Sequence, residues 1–171
     1  SATAKFVITD KDDNKLKFNS DGKLRTIEDR NGNTNTISWG TYGIVQITDG
    51  AGRIYTLSYN ANHWLASIDP PDDRIIEYIY DTGGQLTGID YWDNDANDTI
   101  FTYSSGKMTS AQAYTGHKLT FTYDLNGPNG TCPVSGMNES VGATGGGQLT
   151  FYYYGKETHV TDYAGNTVIC Q

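Results

Sequence analysis

The residues whose chemistry best suits a ligand are Trp39, Trp64 and Trp92, with Tyr91 beside the last. A flat aromatic ring covers the apolar face of a sugar while nearby Asn and Asp accept its hydroxyls, so an exposed set of rings is a carbohydrate platform. Trp92 leads the three because it stands just ahead of Asp93-Asn94-Asp95-Ala96-Asn97-Asp98, outside any strand pattern. The competing explanation is that the tryptophans take the place of other aromatics in a sheet or cover its edge. The acidic run also offers hard oxygens to calcium through Asp93, Asp95 and Asp98, but it lacks the glycine and terminal bidentate Glu of an EF-hand loop. A polar turn is its default reading, as it is for Asp10-Lys11-Asp12-Asp13-Asn14.

Other chemistry is thin. Cys132 and Cys170 have none of the paired spacings of a zinc site, and both a disulfide between them and two free thiols remain open. His63, His117 and His159 are scattered near strand boundaries. No nucleophile elbow, triad motif or Cys-His pairing is recognisable, so neither an enzyme nor a cofactor is expected. The sequons at Asn97, Asn129 and Asn138 are what chance supplies in an Asn-rich chain.

Positioning any of these residues requires a scaffold, and the composition points to β-structure. Only 36% of the 171 residues are apolar, yet 20 are Gly and 13 are Tyr, so aromatic rings replace part of the usual aliphatic core. Aromatic side chains suit a pleated surface and Gly suits tight turns. A net charge of -8 repels phosphate backbones and anionic lipid, which argues against a nucleic-acid partner. No apolar run reaches the length of a membrane span, and no leader opens the chain, so Ser1-Ala2 reads as a cut start.

The chain repeats. Strand-closing aromatics fall at Phe18, Trp39, Tyr59, Tyr80, Tyr103, Tyr123 and Tyr153, about 21 residues apart with a longer last gap. In one unit Ile76, Tyr78 and Tyr80 alternate with Glu77 and Ile79, a period of two. Asp81-Thr82-Gly83-Gly84 then reads as a turn, and Leu86 and Ile89 mark a second, shorter strand. A second kind of turn, Asp-x-x-Gly followed by Asn or Arg, closes the opposite end at Asp29, Asp49 and Asp162. The expectation is an all-β antiparallel meander of hairpins with about 14 strands in a curved, solenoid-like strip or partial shell. It forms a single segment, 1–171. Pro70-Pro71 interrupts the rhythm outside the strands, and 127–148, polar and Gly-rich, is expected as a long inserted loop.

Tyr80-Asp81-Thr82-Gly83-Gly84-Gln85-Leu86 resembles the YD-repeat of RHS proteins, Tyr-Asp, two residues, Gly-Arg-Leu, with Gln85 in place of Arg. Tyr123-Asp124 keeps the dipeptide, Tyr59-Asn60 softens it, and His63 takes the glycine position of its unit. The resemblance, to a family that includes bacterial RHS and wall-associated proteins, toxin-complex subunits and teneurins, implies strips of hairpins that spiral into a hollow shell. The family's self-cleaving protease motif, Asp-Pro with a Gly-rich stretch, is not found in this sequence. The expected function is therefore a non-catalytic part of a secreted or cell-surface shell, bacterial in origin, whose partner is the remainder of that shell. The alternative is a module binding glycans or a surface partner through an aromatic face, with self-association through sheet edges as a third option.

Overall fold

The computed structural model describes residues 5–91, 99–126, 131–141, 144–154 and 156–170. Among them lie sixteen strands in one sheet, ordered as they occur in the chain and paired antiparallel, as in Phe6–Thr9 with Lys15–Phe18, Leu65–Asp69 with Ile76–Tyr80 and Thr144–Tyr154 with Glu157–Asp162. Packing separates two units. The first carries β1 (Phe6–Thr9), β2 (Lys15–Phe18), β3 (Leu24–Glu28), β4 (Thr34–Trp39), β5 (Ile44–Thr48), β6 (Ile54–Tyr59), β7 (Leu65–Asp69) and the start of β8 (Ile76–Tyr80). The second carries the end of β8, then β9 (Leu86–Tyr91) up to Asp90, β10 (Thr99–Ser104), β11 (Lys107–Gln112), β12 (His117–Tyr123), β13 (Val134–Val141), β14 (Thr144–Tyr154), β15 (Glu157–Asp162) and β16 (Thr167–Cys170).

The alternation seen in the sequence becomes two unlike faces, because residues directly opposite in register share a face. In the first unit Ile8, Leu16 and Ile27 form one apolar row, Ile37, Ile47 and Tyr55 another, and Leu57, Ile68 and Ile76 a third. The opposite face carries Thr26, Thr36 and Thr48 in one row, and Ser58, Ser67 and Glu77 in another. The second unit repeats the division. Phe121, Met137 and Leu149 form an apolar row, while Thr102, Ser110, Thr120, Asn138 and Gln148 form a polar one. Neighbouring hydroxyls bond to one another, as in Ser58–Ser67 at 2.7 Å and Thr161–Thr167 at 2.8 Å.

Among the described residues Ile37, at 9% exposure, is the one buried hydrophobic residue, and no side chain is fully buried. A globular domain gains its stability by packing two layers around a core. Here each strand is held instead by its neighbours, the nearest-neighbour stability of a repeat protein.

Six of the turns share one chemistry. At Asp10, Asn19, Asp29, Asp49, Asn60 and Asp81 the side-chain Oδ1 accepts the backbone N–H two residues on and the one four residues on. The fourth residue of each turn takes positive φ: Gly22, Gly32, Gly52 and Gly84, but also Asp13 and His63. Two turn types were expected to alternate between the two ends of the sheet. The Asx turn serves both, because an Asn carboxamide and an Asp carboxylate present the same acceptor. Pro70-Pro71 does lie in a turn, closed by the Asp73 N–H donating to the Pro70 carbonyl at 3.2 Å.

The loop expected over 127–148 needs correction. Residues 127–130 lie outside the described residues, but Val134–Val141 is β13, with 8 residues, and Thr144–Tyr154 is β14, with 11, so most of the expected loop is strand. The glycines hid it, since a residue without a side chain contributes nothing to a period of two. Gly146 sits where a Cβ would stand 2.6 Å from the Glu139 carbonyl oxygen, beside the register shift between Asn138 and Ser140, so only glycine fits.

Candidate functional site

The repeating aromatics act at the joints between hairpins. Within a hairpin the backbone ladder runs to the end bearing the closing aromatic, where a register shift falls at Lys17/Phe18, Ser38/Trp39, Ser58/Tyr59, Thr102/Tyr103 and Thr122/Tyr123. Between hairpins it stops short. The β3–β4 ladder ends at Thr26–Thr36, β5–β6 at Gln46–Thr56 and β11–β12 at Ser110–Thr120. Beyond those pairs the strands part, and the aromatic side chain fills the opening.

Its polar tip meets the carbonyl left at the start of the neighbouring strand. Tyr59 donates its hydroxyl to Ile44 O at 2.9 Å, Tyr103 to Leu86 O at 2.8 Å, Tyr123 to Met108 O at 2.7 Å and Tyr153 to Val134 O at 2.6 Å. Trp39 does the same with its indole N–H, to Leu24 O at 2.7 Å. A bulge that separates the strands would otherwise cost a ladder hydrogen bond, and each such donor restores one. Phe18, in the first hairpin, has the ring without the donor. Gly43 is part of one joint: a Cβ there would lie 2.7 Å from Cζ of Tyr59, so the glycine makes room for the ring.

The sequence revealed the donors and missed the acceptors. A backbone carbonyl has no residue type, and it lies 15 to 19 residues from its donor. The available signal was the preference for Tyr or Trp over Phe at these positions, which marks a need for a polar tip.

Of the residues singled out for ligand binding, Trp39, Trp64 and Tyr91 are described. Trp39 and Trp64 stand at the same end of the sheet, but β4 and β7 are three strand spacings apart, roughly 14 Å. The ring of Trp39 has the Lys23 ammonium 5.2 Å from its centroid, and its N–H is used in the joint. Trp64 is half-buried behind the Asn60 turn, and Tyr91 is the last residue of β9. Trp92 and the calcium candidates Asp93, Asp95 and Asp98 lie outside the described residues. Cys132 and Cys170 are free thiols. Three strand spacings separate β13, which follows Cys132, from β16, about 14 Å against the 4.4–6.8 Å between Cα atoms that a disulfide needs.

His63 does something the sequence did not suggest. Held at φ 66, it lays its imidazole against Tyr42 of the adjacent turn, with centroids 3.7 Å apart and planes 13° from parallel. In the turns, the Asn14 side chain beside Asp10, the Asn33 side chain beside Asp29 and the Asn166 side chain beside Asp162 hold those carboxyls below the usual range. For Asp49 the backbone N–H of Arg53 does most of this, helped by the guanidinium.

Residues 59–96 match the RHS Repeat family model. The fold is similar to a crystal structure of TcdB2-TccC3 without its hypervariable C-terminal region, with a TM-score of 0.65 and 16% identity over 96% of this chain. It is also similar to TcdB2-TccC3 itself, with a TM-score of 0.64 and 18% identity, and to the Tc holotoxin pore of Photorhabdus luminescens, with a TM-score of 0.60 and 16% identity over 91% of the chain. The chain spans 10% of the length of the first two and 9% of the third. No curated protein matches the sequence.

Proposed function

We propose that this chain is a non-catalytic stretch of wall in a larger RHS-type shell, secreted or displayed at a bacterial cell surface, that encloses or scaffolds other domains. The observation that carries the proposal is a sixteen-stranded sheet in which no described side chain is fully buried. A sheet that buries so little suits a partition better than a globule. The RHS repeat at 59–96 and the likeness to Tc assemblies support the same reading.

The two edges of the sheet add to it. Phe6, Val7 and Ile8 of β1 and Val168 and Ile169 of β16 are all exposed, and neither strand carries a Pro, a Lys or another charge to discourage pairing. Such edges invite further strands, and the natural partners are flanking repeats of the same shell. Electron cryomicroscopy of the polypeptide with its flanking sequence tests this. A sheet that continues past β1 and β16 around an enclosed volume supports the wall; a compact globule with its own polar cleft overturns it.

A further inference from the structure

The polar face of the second unit holds a groove of about 720 Å³ over β12, β13 and β14. That size lies within the range of small-ligand sites. One wall is the segment Asp124–Asn126, which leaves the sheet after the register shift at Tyr123 and is tied back by the Asp124 N–H donating to the Pro133 carbonyl at 2.9 Å. The floor is Thr122, Ser135 and Gly136, with the Ser135 hydroxyl donating to that of Thr122 at 3.2 Å. The amides of Asn138 and Gln148, opposite one another in register and both exposed, close one end.

The far side carries two rings. Tyr152 and Tyr154 alternate with Phe151 and Tyr153 along β14, so both point to the polar face. They are 52% and 59% exposed, and their hydroxyls are not the ones used at the joints. Tyr154 is backed by His159, with ring centroids 4.8 Å apart at 60°.

The geometry points to this groove as a binding site for a neutral oligosaccharide. Sugar hydroxyls both donate and accept, and the carboxamides and hydroxyls of the groove do the same. The exposed tyrosine rings supply flat apolar surface for the C–H face of a pyranose. The lining contains no Lys, Arg or His, which disfavours phosphate, sulfate or nucleic acid. Its one carboxylate, Asp124, is engaged by the Asn126 N–H at 2.9 Å. Trp39, Trp64 and Tyr91 are not among the residues that line it, and it stands whether or not the chain is part of a shell.

Calorimetric titration of the 171-residue chain with maltohexaose, cellohexaose, xylohexaose and chitohexaose, beside a heparin hexasaccharide, tests the site. At least one neutral hexasaccharide binds, and Tyr152→Ala weakens it roughly tenfold, as truncating a central aromatic does at binding surfaces. Gln148→Ala weakens it less, and Tyr114→Ala, which removes a ring 60% exposed that does not line the groove, leaves it unchanged. Amide shifts on binding fall on Thr122, Gly136 and Tyr152, which separates a lost site from a lost fold. The inference is overturned if no neutral hexasaccharide binds at millimolar concentration, if only the heparin fragment binds, or if a folded Tyr152→Ala binds as well as the parent.

Discussion

Replacing Gly43 by Ala isolates one joint between hairpins. The new methyl would stand 2.7 Å from Cζ of Tyr59, against an ordinary contact of 3.4 Å or more, so the ring must move and its bond to Ile44 O must lengthen or break. Gly43 has no positive φ, so backbone strain does not contribute. Overpacking of this kind costs about 1–3 kcal/mol and the lost hydrogen bond about 1 kcal/mol, while the stiffer unfolded chain returns about 0.4–1 kcal/mol. The net expectation is a destabilisation of about 2 kcal/mol. In a Tyr59→Ala background the collision is absent, and the same substitution is neutral or stabilises by about 0.5 kcal/mol. Urea unfolding of the four proteins, followed by tryptophan fluorescence and circular dichroism, completes the cycle. A coupling of about 2 kcal/mol is expected; additive effects within about 0.5 kcal/mol would show that Tyr59 does not occupy this joint.

Three further outcomes follow from the same geometry. Converting Tyr59, Tyr103, Tyr123 and Tyr153 to Phe keeps every ring and removes every donor, costing about 0.5–1.5 kcal/mol each and close to additively, read as a stepwise fall in the urea midpoint. Gly52→Ala puts a side chain into open space at φ 81 and still costs about 1 kcal/mol, whereas His63→Gly gains a similar amount from its φ of 66 but loses the Tyr42 stack and changes the melting temperature little. Because the carboxyls of Asp10, Asp29, Asp49 and Asp162 are held below their ordinary range, their contribution is complete above the unfolded value near pH 4 and is lost as pH falls through the lower folded values. Urea midpoints should therefore be flat down to about pH 5 and drop below about pH 4, and Asp29→Asn with Asp162→Asn should reduce that drop.

The hairpin repeat was legible because its signals are local. Ile76, Tyr78 and Tyr80 against Glu77 and Ile79 specify a strand within five residues, and Asp81 with Gly84 specifies the turn that follows. The two outermost strands were harder to see, since β1 and β16 have no closing aromatic and bring the sixteen strands above the number the repeat suggested. Gly145-Gly146-Gly147 read as loop because the strand there is specified by what must be absent beside Glu139. Among the aromatic candidates Trp92 led because it stands outside the strand pattern, just ahead of the acidic run. The groove of the second unit depends instead on a register shift and on which tyrosines of one strand share a face, and both are properties of pairing partners far away in the chain.

The wall reading is tested most directly at its edges. Amide hydrogen exchange at Phe6–Thr9 and Thr167–Cys170 is compared between this chain and the same sequence carried within its flanking repeats. In the longer polypeptide the amides of β1 and β16 that point away from β2 and β15 should gain protection, while those in the middle of each unit stay as they were. Edge amides that exchange equally fast in both would contradict a continuous wall.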